Sequence, residues 1–116
     1  MSKDEAYLRA IVREIGYLPS ELKGYGLQKF IKSDKTKKAV CMTLLNIGEA
    51  ANKLSKAFRD KYNIIPWHNY IGFRNIAAHN YDALKIERVW NTCKNVMPRL
   101  KKDIRGILEK EFGSPE

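Results

Sequence analysis

The sequence predicts an all-α protein, a four-helix up-and-down bundle with short extra helical turns, and three observations predict it. Long segments repeat their apolar residues at intervals of three and four, which puts one buried stripe on each helix. No stretch shows the apolar-polar alternation of a half-buried strand. No internal repeat or low-complexity block points to a solenoid or a disordered tract. The 116 residues fit one domain, 1–116, with a core over about 4–108 and a frayed tail at 113–116. Hydrophobic residues at 44% and charged residues at 30% are ordinary for a globular chain, so this one is expected to fold.

The first helix begins near Asp4, where Leu8, Ile11, Val12, Ile15 and Leu18 form its stripe, and it is expected to stop before Pro19. Gly24 and Gly26 mark a connector, in which Leu27 to Ile31 suits a short helical turn. Asp34 is the expected N-cap of the next helix, whose seam Val40, Leu44, Ile47, Ala51, Leu54 and Phe58 alternates steps of four and three. That helix is expected to run to Lys61-Tyr62-Asn63. Gly48 in its interior costs up to ~1 kcal/mol relative to Ala, and the usual compensation is a second backbone packed closely over it. Pro66 suits the first turn of a third helix through Trp67, Tyr70, Ile71 and Arg74. Asp82 is placed to cap the last helix, with the stripe Ile86, Val89, Trp90, Cys93, Met97, Leu100, Ile104 and Leu108, which Pro98 should bend.

Lys plus Arg number 22 against 13 Asp plus Glu, and the net charge of +9 favours a polyanionic partner through counterion release. Cys41 and Cys93 have no zinc-site spacing and are read as core thiols of a cytoplasmic protein. The longest apolar run is a few residues, far from the roughly 20 that span a bilayer, and the N-terminus lacks the apolar core of a secretion signal. Neither a Gly-rich phosphate loop nor a His/Asp/Glu set with metal-ligand spacing is present, so any phosphoryl chemistry is expected to need no metal and no cofactor.

The stretch from Arg74 to Tyr81 concentrates a guanidinium, an imidazole and a phenol in eight residues. Arg offers a planar fork that matches phosphate oxygens, and His exchanges protons near neutral pH. On one ideal helix Arg74 and His79 lie about 140° apart, at roughly 100° per residue. The pair therefore needs either a turn near Asn80 or a second subunit. Lys29, Lys32, Lys35, Lys37 and Lys38 form one basic run, and Arg99, Lys101, Lys102 and Arg105 another. Such runs are usually solvated faces, and as RNA contacts Lys35, Lys37, Lys38, Arg99, Lys101 and Lys102 would hold the backbone. Trp67, Tyr70 and Phe73 are read as core or interface rather than as base-stacking groups, and His68 as surface. Glu49 either orients Arg74 or is exposed or paired with Lys53 at i+4.

The Arg74-x4-His79-x-Tyr81 pattern, with Ile47-Gly48-Glu49-Ala50-Ala51, Ile65-Pro66-Trp67, Gly72-Phe73-Arg74-Asn75 and Val89-Trp90 in this order, resembles the HEPN superfamily, in particular its HepT-like toxins. The likeness covers about residues 4–108. It departs at Asn80, where many relatives carry Gly; Asn also tolerates a left-handed backbone. The resemblance implies an endoribonuclease toxin of a prokaryotic toxin–antitoxin pair, acting as a homodimer with the motifs facing each other. In that reading Arg74 and His79 are catalytic and Asn75 positions phosphate. The resemblance further implies that a cognate minimal nucleotidyltransferase antitoxin adds AMP to Tyr81. The rival expectation is a non-catalytic helical partner that docks a nucleotidyltransferase and presents nucleotide to it.

Overall fold

The structure, a computed structural model, describes residues 2–78 and 83–116, the side chains of 76–78 and 83–84 aside. Every regular element among the described residues is helical. Helix α1 spans Lys3–Glu21, α2 Leu27–Lys32, α3 Asp34–Lys53, α4 Lys56–Lys61 and α5 Trp67–Ile71. A 3-10 segment, Gly72–Ala78, continues α5, while α6 (Ala83–Asn91) passes through a π turn (Thr92–Val96) into α7 (Met97–Phe112).

Helix α1 packs most extensively on α3 and also on α7. Its polar contacts set the direction of the pair. Asp4 bonds Ser55, Glu14 accepts from Asn46 at 2.8 Å, and Glu21 accepts from Thr43 at 2.8 Å, so rising numbers on α1 meet falling numbers on α3. The two helices are antiparallel. The limb made of α5 and the 3-10 segment lies against α3.

The expected stripes are the core. Leu8, Ile11, Val40, Leu44, Ile47, Ala51, Met97, Ile104 and Leu108 are fully buried, and each large aliphatic side chain so removed from water contributes about 1.5–3 kcal/mol. Val12 is half-buried at the edge of this core. Phe30 on α2 is also fully buried and meets Trp90 with ring centroids 5.4 Å apart, which fixes the connector helix to α6. No described helix is long and apolar enough to cross a membrane.

Four local expectations are corrected. Helix α1 runs through Pro19 to Glu21, because near a helix end the missing N–H costs one bond; the next turn still closes, with Leu22 N–H donating to Leu18 O at 3.0 Å. Ser33, not Asp34, caps α3: its hydroxyl accepts from Thr36 N–H at 3.2 Å, while Asp34 sits in the first turn and pairs with Lys37. The helix expected to continue to Lys61 breaks after Lys53. Leu54 turns to an extended backbone (ψ 141°), and Ser55 caps α4 by accepting from Phe58 N–H at 3.2 Å. Asp4 locks that break from α1, accepting from both Ser55 N–H and Ser55 Oγ at 2.8 Å. The helix begun at Pro66 keeps α winding only to Ile71 and then tightens to 3-10 through Arg74.

At Pro98, where a bend was expected, the winding of the last helix changes. The proline stands at the start of α7, directly after the π turn, where its absent N–H leaves no regular bond to complete. Asp82, the expected cap of α6, lies outside the described residues. Gly113 ends α7 with a left-handed φ of 78°. The tail expected to fray carries two contacts: Arg9 donates to the Ser114 carbonyl at 3.3 Å, and Arg105 pairs with Glu116.

Ser55 both caps α4 and receives α1, so replacing Ser55 with Ala should destabilise the bundle by about 1–2 kcal/mol. Urea unfolding followed by far-UV circular dichroism measures it. A midpoint equal to wild type would mean that the break after Lys53 is held by packing alone.

Candidate functional site

The limb that carries Arg74 is anchored from its start. Trp67 is buried, and its indole N–H donates to the Tyr62 carbonyl at 3.1 Å. Tyr70 is buried and meets the half-buried Phe73 edge-on at 5.7 Å. These aromatics are therefore core, as their helical spacing implied. Gly72 follows, the winding tightens, and Arg74 and Asn75 emerge exposed to solvent.

Gly48 on α3 supplies the seat. A Cβ built there would stand 2.8 Å from the Tyr70 carbonyl oxygen and 3.3 Å from both the backbone nitrogen and Cγ of Arg74. Two backbones thus approach where only a hydrogen fits, which is the compensation expected for a glycine inside a helix. The contact sets the height of Arg74 over α3. Glu49, one residue on, is half-buried; among the described residues it forms an ion pair with neither Arg74 nor Lys53. Lys53 instead lies 5.9 Å from the centre of the Tyr7 ring. His79, Asn80 and Tyr81 lie outside the described residues.

The basic runs separate in space. Lys35 and Lys38 are exposed, whereas Lys37 is tied to Asp34 at 3.2 Å. Lys101 and Lys102 line a shallow groove along α7 with Arg105. Arg99 faces elsewhere, into a groove of about 570 Å³ between the limb and α7, where Tyr70, Ile107 and Asp103 also stand. Burial raises the Tyr70 phenol above its ordinary range and Asp103 adds to this, while Arg99 opposes it. Ile64, at the rim of this groove, is 89% exposed. Sequence periodicity gave no sign of this groove, because Ile64 sits in a connector outside every stripe.

Cys41 and Cys93 are buried core residues, and burial, with Cys41 nearby, pushes the Cys93 thiol up to about 12. At neutral pH it is protonated and unreactive. His68 is exposed. Among the described residues no three His, Cys, Asp or Glu side chains group to hold a metal ion.

A small all-α bundle that raises Arg74 on a tightened turn, five residues before His79 in the sequence, is consistent with the HEPN-like class. The chain belongs to the ribonuclease HepT-like family, whose model matches residues 5–107. It is 32% identical over 111 residues to a protein of Caldanaerobacter subterraneus subsp. tengcongensis named "Putative RNase", covering 96% of this chain and 99% of that one. A protein of Methanocaldococcus jannaschii with the same style of name is 31% identical, over 97% of this chain and 93% of its own length. The "Probable ribonuclease HepT" of Thermococcus cleftensis is 28% identical, over 82% and 86%. No solved structure matches the chain significantly.

Replacing Gly48 with Ala tests the seat. Ala gains up to ~1 kcal/mol in helix propensity, but its methyl must displace the Tyr70 carbonyl, and overpacking of this kind costs about 1–3 kcal/mol. A net destabilisation is expected in denaturant unfolding. A gain in stability would mean that the limb moves off α3 without cost.

Proposed function

We propose that the chain is an endoribonuclease that needs no metal, the toxin of a prokaryotic toxin–antitoxin pair, and that it works as a homodimer. The observation that carries this reading is the family membership together with its Arg74-x4-His79-x-Tyr81 signature. The exposure of Arg74 and Asn75 on a limb held rigidly against α3 supports it.

RNA carries its own nucleophile. His79 would take the 2′-hydroxyl proton, the 2′-oxygen would attack the adjacent phosphorus, and the P–O5′ bond would break, with the leaving oxygen acquiring a proton. The products are a 2′,3′-cyclic phosphate and a free 5′-hydroxyl. General acid–base catalysis by the imidazole is worth about 10²- to 10⁴-fold. Arg74 would neutralise the charge that builds on the phosphoryl oxygens, and Asn75 would hold one of them. Glu49, half-buried beside Gly48, would bias the Arg74 guanidinium toward the cleft. DNA lacks the nucleophile and would survive.

Two-fold pairing would bring two such segments to one cleft. Ile64 supports it, an aliphatic side chain left in water beside an apolar groove, with Arg99 and Asp103 offering both signs of charge for a self-complementary contact. The cognate nucleotidyltransferase would silence the enzyme by adding AMP to Tyr81, because a new phosphate at a cationic mouth repels RNA. A free phenol titrates near 10 and is a poor base at pH 7, which favours this regulatory role over catalysis.

Purified protein should cleave single-stranded RNA equally with and without EDTA, and Arg74→Ala or His79→Ala should each lower the rate by about 10²-fold or more. Product analysis should find cyclic phosphate ends. Failure to cleave any RNA, combined with tight binding of the nucleotidyltransferase, would favour a non-catalytic partner instead.

Ile64→Asp should shift the protein from dimer to monomer in light scattering and depress cleavage without unfolding it. With the nucleotidyltransferase and ATP, wild type should gain AMP and lose activity, whereas Tyr81→Phe should cleave nearly normally and gain none. Equal modification and silencing of the Phe variant would remove Tyr81 from the regulatory role.

A further inference from the structure

A second cleft, unrelated to the limb, opens where the end of α1 meets the π turn. It encloses about 510 Å³, within the ordinary size range of small-molecule sites. Its lining is largely apolar and includes Leu18, Leu22 and the exposed Pro19 and Pro98. Tyr25 also lines it, its phenol oxygen held by a hydrogen bond from Thr36 Oγ1 at 2.9 Å. Three lysines, Lys23, Lys94 and Lys101, complete the lining, and no acidic side chain does. Among the described residues none of the three is in an ion pair. Lys94 lies 5.4 Å from the Trp90 ring centre, a contact that leaves its charge uncompensated.

We infer that this cleft takes one unpaired base of a single-stranded RNA, with the flanking phosphates on Lys23, Lys94 and Lys101. An apolar slot ringed by uncompensated cations fits a ligand that is flat and apolar at its centre and anionic on both sides. A base between two phosphates has that form. Continuity decides for a polyanion over a single anion: Pro98 and Lys101 also line the shallow groove along α7, where Lys102 adds a further cation beside Glu109 and the Arg105–Glu116 pair. The sequence kept these lysines apart, since Lys23 and Lys94 belong to no basic run. Folding collects them, and the π turn ahead of Pro98 contributes Lys94 and the buried Cys93 to the wall.

The inference rests on RNA being the substrate, yet it is tested without cleavage. The probe is a short single-stranded 2′-O-methyl oligonucleotide, which lacks the reactive hydroxyl. The variant Lys23→Ala/Lys94→Ala/Lys101→Ala should bind it about tenfold or more weakly in fluorescence anisotropy, and the log–log salt slope should fall by about 2, from three contacts at roughly 0.7 each. The control Lys3→Ala/Lys53→Ala/Lys110→Ala removes equal charge at the other end of the bundle and should bind nearly as wild type does. Oligonucleotides with one abasic position in the bound register should lose affinity, because base stacking is removed while every phosphate remains. Photocross-linking with 5-iodouracil should label the half-buried Tyr25. Equal weakening by the two triple variants, indifference to the abasic position, or cross-links confined to other surfaces would overturn the inference. Cleavage that persists with any of those results would leave the ribonuclease reading standing, and binding at the cleft without cleavage would remove that reading alone.

Discussion

The arrangement of the functional limb depends on one close approach, the passage of the Tyr70–Arg74 backbone over Gly48. Any side chain there would push a carbonyl oxygen from 2.8 Å, and with it the start of the 3-10 segment. The limb has little else to fix its height, since α5 is only five residues long and cannot be stable alone. Trp67 and Tyr70 pin it laterally through burial, and Gly48 sets how near it comes. Helix α3 accepts a residue of poor helix propensity at its centre, and in exchange the Arg-bearing turn is held by backbone contact rather than by flexible side chains.

Electrostatics divides the molecule differently from composition. The excess of 22 basic over 13 acidic residues is not spread evenly through ion pairs. Acidic groups are used largely as fasteners: Asp4 on Ser55, Glu14 on Asn46, Glu21 on Thr43, and Glu111 on Lys61 and Tyr62. Glu21 shows the cost of such use, because burial raises its carboxyl above the ordinary range against the lowering effect of the Thr43 bond. Glu111 shows the opposite case, held below that range by its bonds from Lys61 and Tyr62. With these carboxylates so engaged, Lys23, Lys94, Lys101 and Lys102 face solvent grooves outside any ion pair among the described residues, Glu109 standing in the groove of the last two. Unpaired lysines therefore gather where α1 meets α7.

Much of the architecture was legible in the sequence, and the reason is periodicity. A stripe such as Val40, Leu44, Ile47, Ala51 records one buried face per helix, and each of these side chains is buried. Gly48 was legible as a close-packing position, because a glycine inside such a helix has few other reasons to be there. The Arg74 to Tyr81 signature was legible as a motif, and its family membership follows from the whole chain. These features are local, or sums of local preferences.

What the tertiary structure decided concerns choices between near-equal local options. Ser33 and Asp34 are both good caps, and only the emerging direction of α3 selects the serine. The seam through Leu54 and Phe58 reads as one helix; Asp4, fifty-one residues from Ser55, supplies the bonds that break it. Propensity also ends α1 at Pro19, yet packing of Leu18 and Leu22 carries it on, since a core contact outweighs one absent hydrogen bond near a helix end. The partner of Gly48, the groove beside Ile64 and the lysine-lined cleft at the π turn are long-range juxtapositions with no sequence period. The sequence by itself determined which faces are buried and which family the chain belongs to; the tertiary structure decided which side chains meet, because meeting depends on how helices cross rather than on how each one is patterned.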